Sequence, residues 1–584
     1  MVIKPKLLQM RELVTIQVGT FANYVGSHFW NFQDELLGLT EVPDGDPIYN
    51  NSSLDMDVLY RSGETQQGIP TYCPRLISMS FQGSLGSLSL SGSLYDDISS
   101  SDPTDILTWT GNVSRCMAER HKKNLFLQSL SAEEHEILDV SEDDSAEVMC
   151  SSQRQVQDKD RIECLETDVK FWTDFSKVQY HPRSLYELHS SWMDIQKFDD
   201  YGIGKDVLSG GLQLEEMNER LRFFIEECDH IQGIQFVVDD SGGFSSVAAE
   251  VLENIEDEYT NTPVLLYAVR DPGAYTYATN QKSSIGRSLH DAVSFSRLSS
   301  FCNLMIPVGL PSLRSGLSPL LHVDDKKPFH SSAVYAASIH SISIPFRMEI
   351  PGPAANSTCT SGAMDVDEIV HTLAGQSRQN MVTVLDVAMP PPSLTDEHNQ
   401  GSILRNLHPL TPEIRKDDDD LLAVESLVVH GALYSGDHRA TVSQVKDSVR
   451  VAYQTAPAKP LFSRLSVALC PLPIPLPFPS IFGRNVGRHG ELVFNSVQGA
   501  RSRGSLEIES IPMAARLRSS TAIMPFVEKR LGDLRKHGLA RGAPGAELLR
   551  TWGFGRDEVQ DMGEHLSKLL MGFDPHSQTT SDSD

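Results

Sequence analysis

The chain has 584 residues, 40% of them hydrophobic, and a formal net charge of −28. This length fits about three or four folding units of roughly 100–200 residues. The acidic balance argues against nucleic acid as a partner, because a phosphate backbone rewards clustered Lys and Arg. Eight cysteines are scattered without a CxxC pair; they read as reduced, mostly buried thiols of a cytosolic protein, not a zinc site or a secreted framework. No apolar run reaches the roughly 20 residues that span a bilayer, and MVIKPKLLQ lacks the features of a leader peptide. Any membrane contact would be peripheral.

Along the chain, Leu13–Val18 is a compact apolar, β-branched run that predicts a buried strand. It stops at Gly19, and apolar residues at helical spacing follow through Phe32 and Leu36. Strand, tight turn and helix in succession form a common phosphate-holding arrangement, since helix N-termini carry orphan N–H groups. RLISMSF (Arg75–Phe81) predicts a second strand. The Gly-, Ser- and Asp-rich, then acidic, residues of about 85–165 read as a partly disordered insertion with a solvated acidic run at Ala132–Val148.

Leu212–Cys228 has the spacing of an amphipathic helix. Strand Ile234–Asp240, turn SGGFSS, helix Val247–Tyr259 and strand Pro263–Val269 follow, the alternation of a parallel sheet covered on both faces. YGIGKD (Gly202, Gly204, Lys205) reads as a turn. Further strands are expected at Val382–Val387 and in LAVESLVVHGAL, and helices at Met524–Arg535 and Glu558–Met571. The alternate prolines Pro471–Pro479 make Leu465–Phe482 extended, an internal connector in preference to a polyproline ligand. Lone histidines such as His322 and His430 read as surface or core residues.

Four collinear stretches resemble tubulin. MRELVTIQVGTFANYVGSHFW carries Met10, Arg11, Glu12, Ile16, Gln17, Gly19, Asn23, Gly26, Phe29 and Trp30 at tubulin's offsets. YCPRLISMSFQG, CDHIQGIQFVVDDSGGFSSVAAEVLENIEDEY and SSTAIMPFVEKRL resemble, in order, the strand before tubulin's acidic loop, its signature-loop region and its C-terminal STAI helix. With its long insertions the chain resembles the Misato family, which is tubulin-like and associated with mitochondrial distribution and morphology and with spindle assembly. The resemblance implies an α/β, tubulin/FtsZ-like fold. A parallel Rossmann-like domain would span 1–300, a second α+β domain 301–510, and a C-terminal helical region with a disordered tail 511–584.

The resemblance also implies a GTP site, with Gly19, Thr20, Asn23, Gly242, Gly243, Ser245 and Ser246 as its counterparts here, but a degenerate one. Tubulin's GGGTGSG becomes Ser241–Val247, with Phe244 in place of the Thr and Val247 in place of the last Gly. Thr20 replaces a Gln, and Ser80 and Gln82 replace both carboxylates of the acidic loop, so metal-assisted triphosphate binding loses its ligands. Asp239 and Asp240 add charge that opposes an anion unless a cation offsets it. Tubulin's hydrolytic acid has only a rough counterpart in HVDD (Asp324, Asp325). The expectation is a non-catalytic protein with no assured cofactor, GTP being possible but weakened. Its expected partners are tubulin or its assembly machinery and the outer mitochondrial membrane. The basic residues Arg501, Arg503, Arg516, Arg518, Lys529, Arg530, Arg535, Lys536 and Arg541 could face an acidic partner. An active GTP-binding and GTP-hydrolysing switch is the competing class, and a tubulin assembly or folding factor is a third.

Overall fold

The computed structural model describes residues 11–42, 45–50, 53–64, 70–89, 121–139, 150–189, 198–208, 210–275, 281–310, 320–349, 359–375, 380–395, 402–414, 423–493 and 502–573. Met10, the acid-rich residues 140–149, the run KDDDD and the C-terminal tail lie outside them.

A seven-stranded, wholly parallel sheet forms the first layer. Its strands lie in the order Met381–Val382, Leu304–Val308, Val264–Val269, Ile231–Asp239, Glu12–Val18, Leu76–Phe81, Leu185–Leu188. The near-continuous apolar runs follow from this placement, because a parallel sheet is covered on both faces. Alternation divides each strand between two cores. Leu13, Val237, Leu265 and Tyr267 face one, with the helices Thr20–Glu41 and Pro328–Ser343. Val14, Ile16, Phe236 and Leu266 face the other, with Gly243–Glu258, Gln281–Ser300 and the C-terminal helices Met524–Leu534 and Arg556–Gly572.

A mixed six-stranded sheet forms the second layer, in the order His408–Pro409, Val384–Ala388, Met513–Ser519, Val424–His430, Phe462–Ala468, Thr360–Ser361. Between the layers runs the helix Pro328–Ser343, buried at every position from Phe329 to Ser343. Its sequence explains how: Ala and Ser keep it narrow, and Ser332, Ser338, Ser341 and Ser343 return their hydroxyls to carbonyls of the same helix.

Four sequence expectations change. YGIGKD is not a turn but part of the helix Tyr201–Leu208. Its glycines are explained by crowding: a Cβ on Gly202 would lie 2.8 Å from the Trp552 ring, and one on Gly204 would collide with the backbone of Gly243. SGGFSS is likewise no free turn, because the helix begins at Gly243. Within the insertion, Leu125–Asp139 and Cys150–Asp168 are helical, and Phe126 and Leu165 join the core. Finally, the C-terminal basic residues do not form one exposed patch. Arg516 and Arg518 bind the buried Asp386, and Arg530 is buried against Phe526 and Glu413.

The proline-rich connector is internal, with Leu472, Ile474 and Phe478 buried. His430 is a core residue bonded to Ser341 and to the Cys470 carbonyl, while His322 is exposed. Among the described residues, no helix is long and apolar enough to cross a membrane.

Candidate functional site

In doubly wound sheets, ligands bind at the carboxyl ends of the strands, where the strand order reverses. Here the reversal falls between Glu12–Val18 and Ile231–Asp239. The crevice is therefore bounded by Gly19 and the start of the helix Thr20–Glu41, by Asp239 and Asp240, and by the start of the helix Gly243–Glu258. Gly19, Thr20 and Asn23 lie at the start of the first of these helices, and Gly242, Gly243, Ser245 and Ser246 at the start of the second.

Gly19, at φ 108°, turns the chain out of its strand, and its N–H donates to the Met79 carbonyl at 3.1 Å. Only glycine serves at that spot, since a Cβ would lie 2.5 Å from Asp239 Cβ and 3.0 Å from the Phe244 ring. Asn23 faces inward. It donates to the Met79 carbonyl at 3.0 Å and accepts from Ser78 Oγ at 2.9 Å, bracing the helix on the neighbouring strand. Thr20 is half-buried at the first helical position.

Helix N-termini attract anions because their first N–H groups lack intrahelical partners. In this crevice one such group on each helix is taken by the chain itself. Asp239 Oδ2 accepts from the Phe21 N–H at 3.3 Å, and Oδ1 accepts from the Ser241 N–H at 3.2 Å and hydroxyl at 2.5 Å. Burial pushes the Asp239 carboxyl up to about 6 even against these bonds. The Gly243 N–H donates to the Phe198 carbonyl at 3.1 Å. In the former acidic loop, Gly83 N–H donates to Glu187 Oε1 at 2.8 Å. Ser245 Oγ donates to the Gly242 carbonyl at 2.8 Å and meets His290 Nε2 at 3.2 Å; Ser246 is fully buried.

The remaining space is aromatic. Phe81, Phe198 and Phe244 pack with centroids 4.3, 4.6 and 5.0 Å apart, all buried. Gly242 (φ 63°) and Gly243 are required by this packing, since a Cβ on the first would collide with the Phe198 carbonyl and one on the second would lie 2.6 Å from its ring. Asp240 is neutralised by the two-pronged grip of Arg270, with both contacts at 2.6 Å. Arg270 also reaches Asp291 at 3.0 Å; burial opposes ionisation there, but Arg270 and His290 hold that carboxyl far below its ordinary range.

These residues do not fit a triphosphate. Asp239, Glu187 and Phe198 each take a backbone N–H that a phosphate would use, and the rings of Phe81, Phe198 and Phe244 pack against one another beside them. Nor does any group of three or more metal-ligating side chains occur among the described residues. Asp324 closes a turn, its Oδ1 accepting the Lys326 N–H at 3.1 Å. Sequence reasoning found the glycines and the Phe244 replacement. It missed Phe198, Glu187 and Arg270, which lie far away in sequence and belong to no motif.

Comparison with known proteins agrees with the fold. A Misato segment II tubulin-like domain matches residues 11–132, and a tubulin domain matches residues 163–348. Protein misato homolog 1 of Mus musculus is 29% identical over 96% of this chain and 97% of its own length, and that of Homo sapiens is 29% identical over the same shares. Protein misato of Drosophila melanogaster is 25% identical over 88% of this chain and 90% of its own length.

Proposed function

Because the chain is a divergent, Misato-type member of the tubulin superfamily, we propose that it is a non-catalytic scaffold supporting mitochondrial distribution, morphology and inheritance. In this reading it acts from the cytoplasm through cytoskeletal and membrane-surface contacts. Tubulin or its assembly machinery is one partner, the outer mitochondrial membrane is visited peripherally, and nucleic acid is not bound. The observation that carries the non-catalytic reading is the occupied crevice, in which Phe198 and Asp239 each take one N–H of a helix start and Phe244 packs where tubulin has a Thr. Catalysis of phosphoryl transfer is mostly positioning and charge stabilisation, and a crevice that gives one N–H of each helix start to its own chain and packs Phe244 between Phe81 and Phe198 is poorly built for either.

The test is to denature the purified chain, search the supernatant for released guanine nucleotide, and titrate the intact protein with a fluorescent GTP analogue with and without magnesium. No nucleotide and no saturable signal are expected. Magnesium-dependent binding with phosphate release would replace this reading with an active GTP switch. For the cellular part, depletion should disperse or fragment mitochondria, and the Phe244→Thr chain should rescue as wild type does; normal mitochondria after depletion would refute it.

A further inference from the structure

Five arginines are buried among the described residues: Arg75, Arg270, Arg347, Arg518 and Arg530. Four of them have a carboxylate within ion-pair range. Arg75 lies 4.0 Å from Glu12, Arg270 2.6 Å from Asp240, Arg518 2.8 Å from Asp386, and Arg530 3.6 Å from Glu413. Arg347 is the exception. It closes the 3-10 turn Ile344–Arg347 that follows the central helix, is 0% exposed, and among the described residues its side chain bonds only to neutral groups, the Gln33 side-chain carbonyl and, at 3.4 Å, Ser343 Oγ. Its Nε has no protein partner.

Among the described residues, the groups whose negative forms would offset the guanidinium are Cys470 and Tyr60. Burial pushes the Cys470 thiol up to about 12 and the Tyr60 phenol well above its ordinary value, so both are neutral at physiological pH. Asp34, whose field reaches Tyr60, is committed to Lys177 at 3.1 Å. Two buried imidazoles, His340 and His430, stand beside the site with rings 5.7 Å apart. Tyr60, whose field reaches Arg347, also has a buried OH without a partner among the described residues, and Nε1 of Trp30, whose ring meets that of Tyr60 at 5.6 Å, is likewise unpartnered.

A desolvated cation without a counter-charge costs several kcal/mol, and orphaned donors add to the cost. Both conditions are relieved by one species: a small acceptor carrying a single negative charge. We propose that Arg347 and Tyr60 hold a small inorganic anion of the chloride class in the core between the two sheets, where it neutralises the guanidinium and stabilises the fold. The site is remote in sequence from the crevice at Gly19 and Gly243 and does not depend on whether nucleotide binds there.

Bromide is the probe. Crystals of the full chain soaked in sodium bromide should give an anomalous difference peak within hydrogen-bond reach of Arg347 Nε; a map without that peak overturns the proposal. In solution, the unfolding midpoint should rise with sodium chloride or bromide by about 1–3 °C per tenfold, relative to sodium gluconate at matched ionic strength. Arg347→Met should abolish that difference. Equal midpoints in chloride and gluconate for the wild-type chain would also overturn it, and should Arg347→Met not fold, the wild-type bromide map decides.

Discussion

The backbone N–H of Gly243 donates to the carbonyl of Phe198 at 3.1 Å, joining residues separated by two helices and a strand. The first turn of the signature-loop helix is thus capped by the chain itself. Gly204 lies against the same turn, so that two helices cross at a pair of glycines. Gly204→Ala should destabilise the chain by about 2–3 kcal/mol, because the added methyl meets backbone that cannot move aside. Gly243→Ala should cost less, about 1–2 kcal/mol, since a ring can shift. Urea denaturation of both variants measures this, and a Gly204→Ala protein as stable as wild type would contradict the crossing.

The second sheet is fastened by charge. Asp386 on one strand accepts from Arg516 and Arg518 on the next, and Arg516 continues to Glu425 on the third, at 2.8, 2.8 and 3.1 Å. Burial opposes ionisation of Asp386, but the two arginines hold its carboxyl below the ordinary value. Asp386→Ala removes the buried carboxylate that the two arginines share and should cost about 3–5 kcal/mol in equilibrium unfolding. Asp386→Asn, which keeps the shape and an acceptor, should cost less; equal losses would show that the charge alone matters.

Acid sensitivity follows from buried histidines. Burial lowers His28 and His430 to about 3 from the ordinary 6.5. The unfolded chain therefore binds protons that the folded one refuses. Stability is full above pH 6.5 and falls as pH drops from 6.5 towards 3, by about 2 kcal/mol for each histidine at pH 5. His430→Gln should flatten this slope in a series of melts between pH 7 and pH 5; an unchanged slope would exclude His430 as a source.

Glu166 latches the end of the helix Cys150–Asp168 onto the molecule. Oε2 meets His330 Nε2 at 2.7 Å and Lys327 Nζ at 3.3 Å, and Oε1 accepts the Ser480 N–H at 2.7 Å. Burial works against this carboxylate, but His330, Ser480 and Lys327 lower it to about 2 from 4.5. Its contribution is thus present above pH 4.5 and lost as pH falls from there to about 2. Glu166→Ala should loosen that helix and speed limited proteolysis between residues 150 and 170, without change in the far-UV helix signal. An unaltered cleavage pattern would show the latch to be dispensable.

The parallel sheet was legible in sequence because buried strands such as Leu13–Val18 and Val264–Val269 announce themselves by unbroken β-branched and apolar runs. The crevice was legible only where its residues are local. Phe244 stands in the loop it disrupts, and the charges of Asp239 and Asp240 adjoin it. Their compensation was hidden, because Arg270 sits one strand away and Phe198 lies before two intervening helices. Glycine itself misled: in Tyr201–Leu208 it suggested a turn, whereas it serves a close helix crossing. The C-terminal arginines misled for the opposite reason. A linear count of charge cannot see that Asp386, more than a hundred residues earlier, lies on the neighbouring strand.

The serine- and alanine-rich helix Pro328–Ser343 forms a wall of the first sheet's core and also lies against the second sheet through Ser341 and His430. Neither layer can shed its cover without stripping the other. The two sheets should accordingly behave as one cooperative unit, with the slowest backbone amides of Ile231–Asp239 and Val424–His430 exchanging with solvent at a common rate set by global opening.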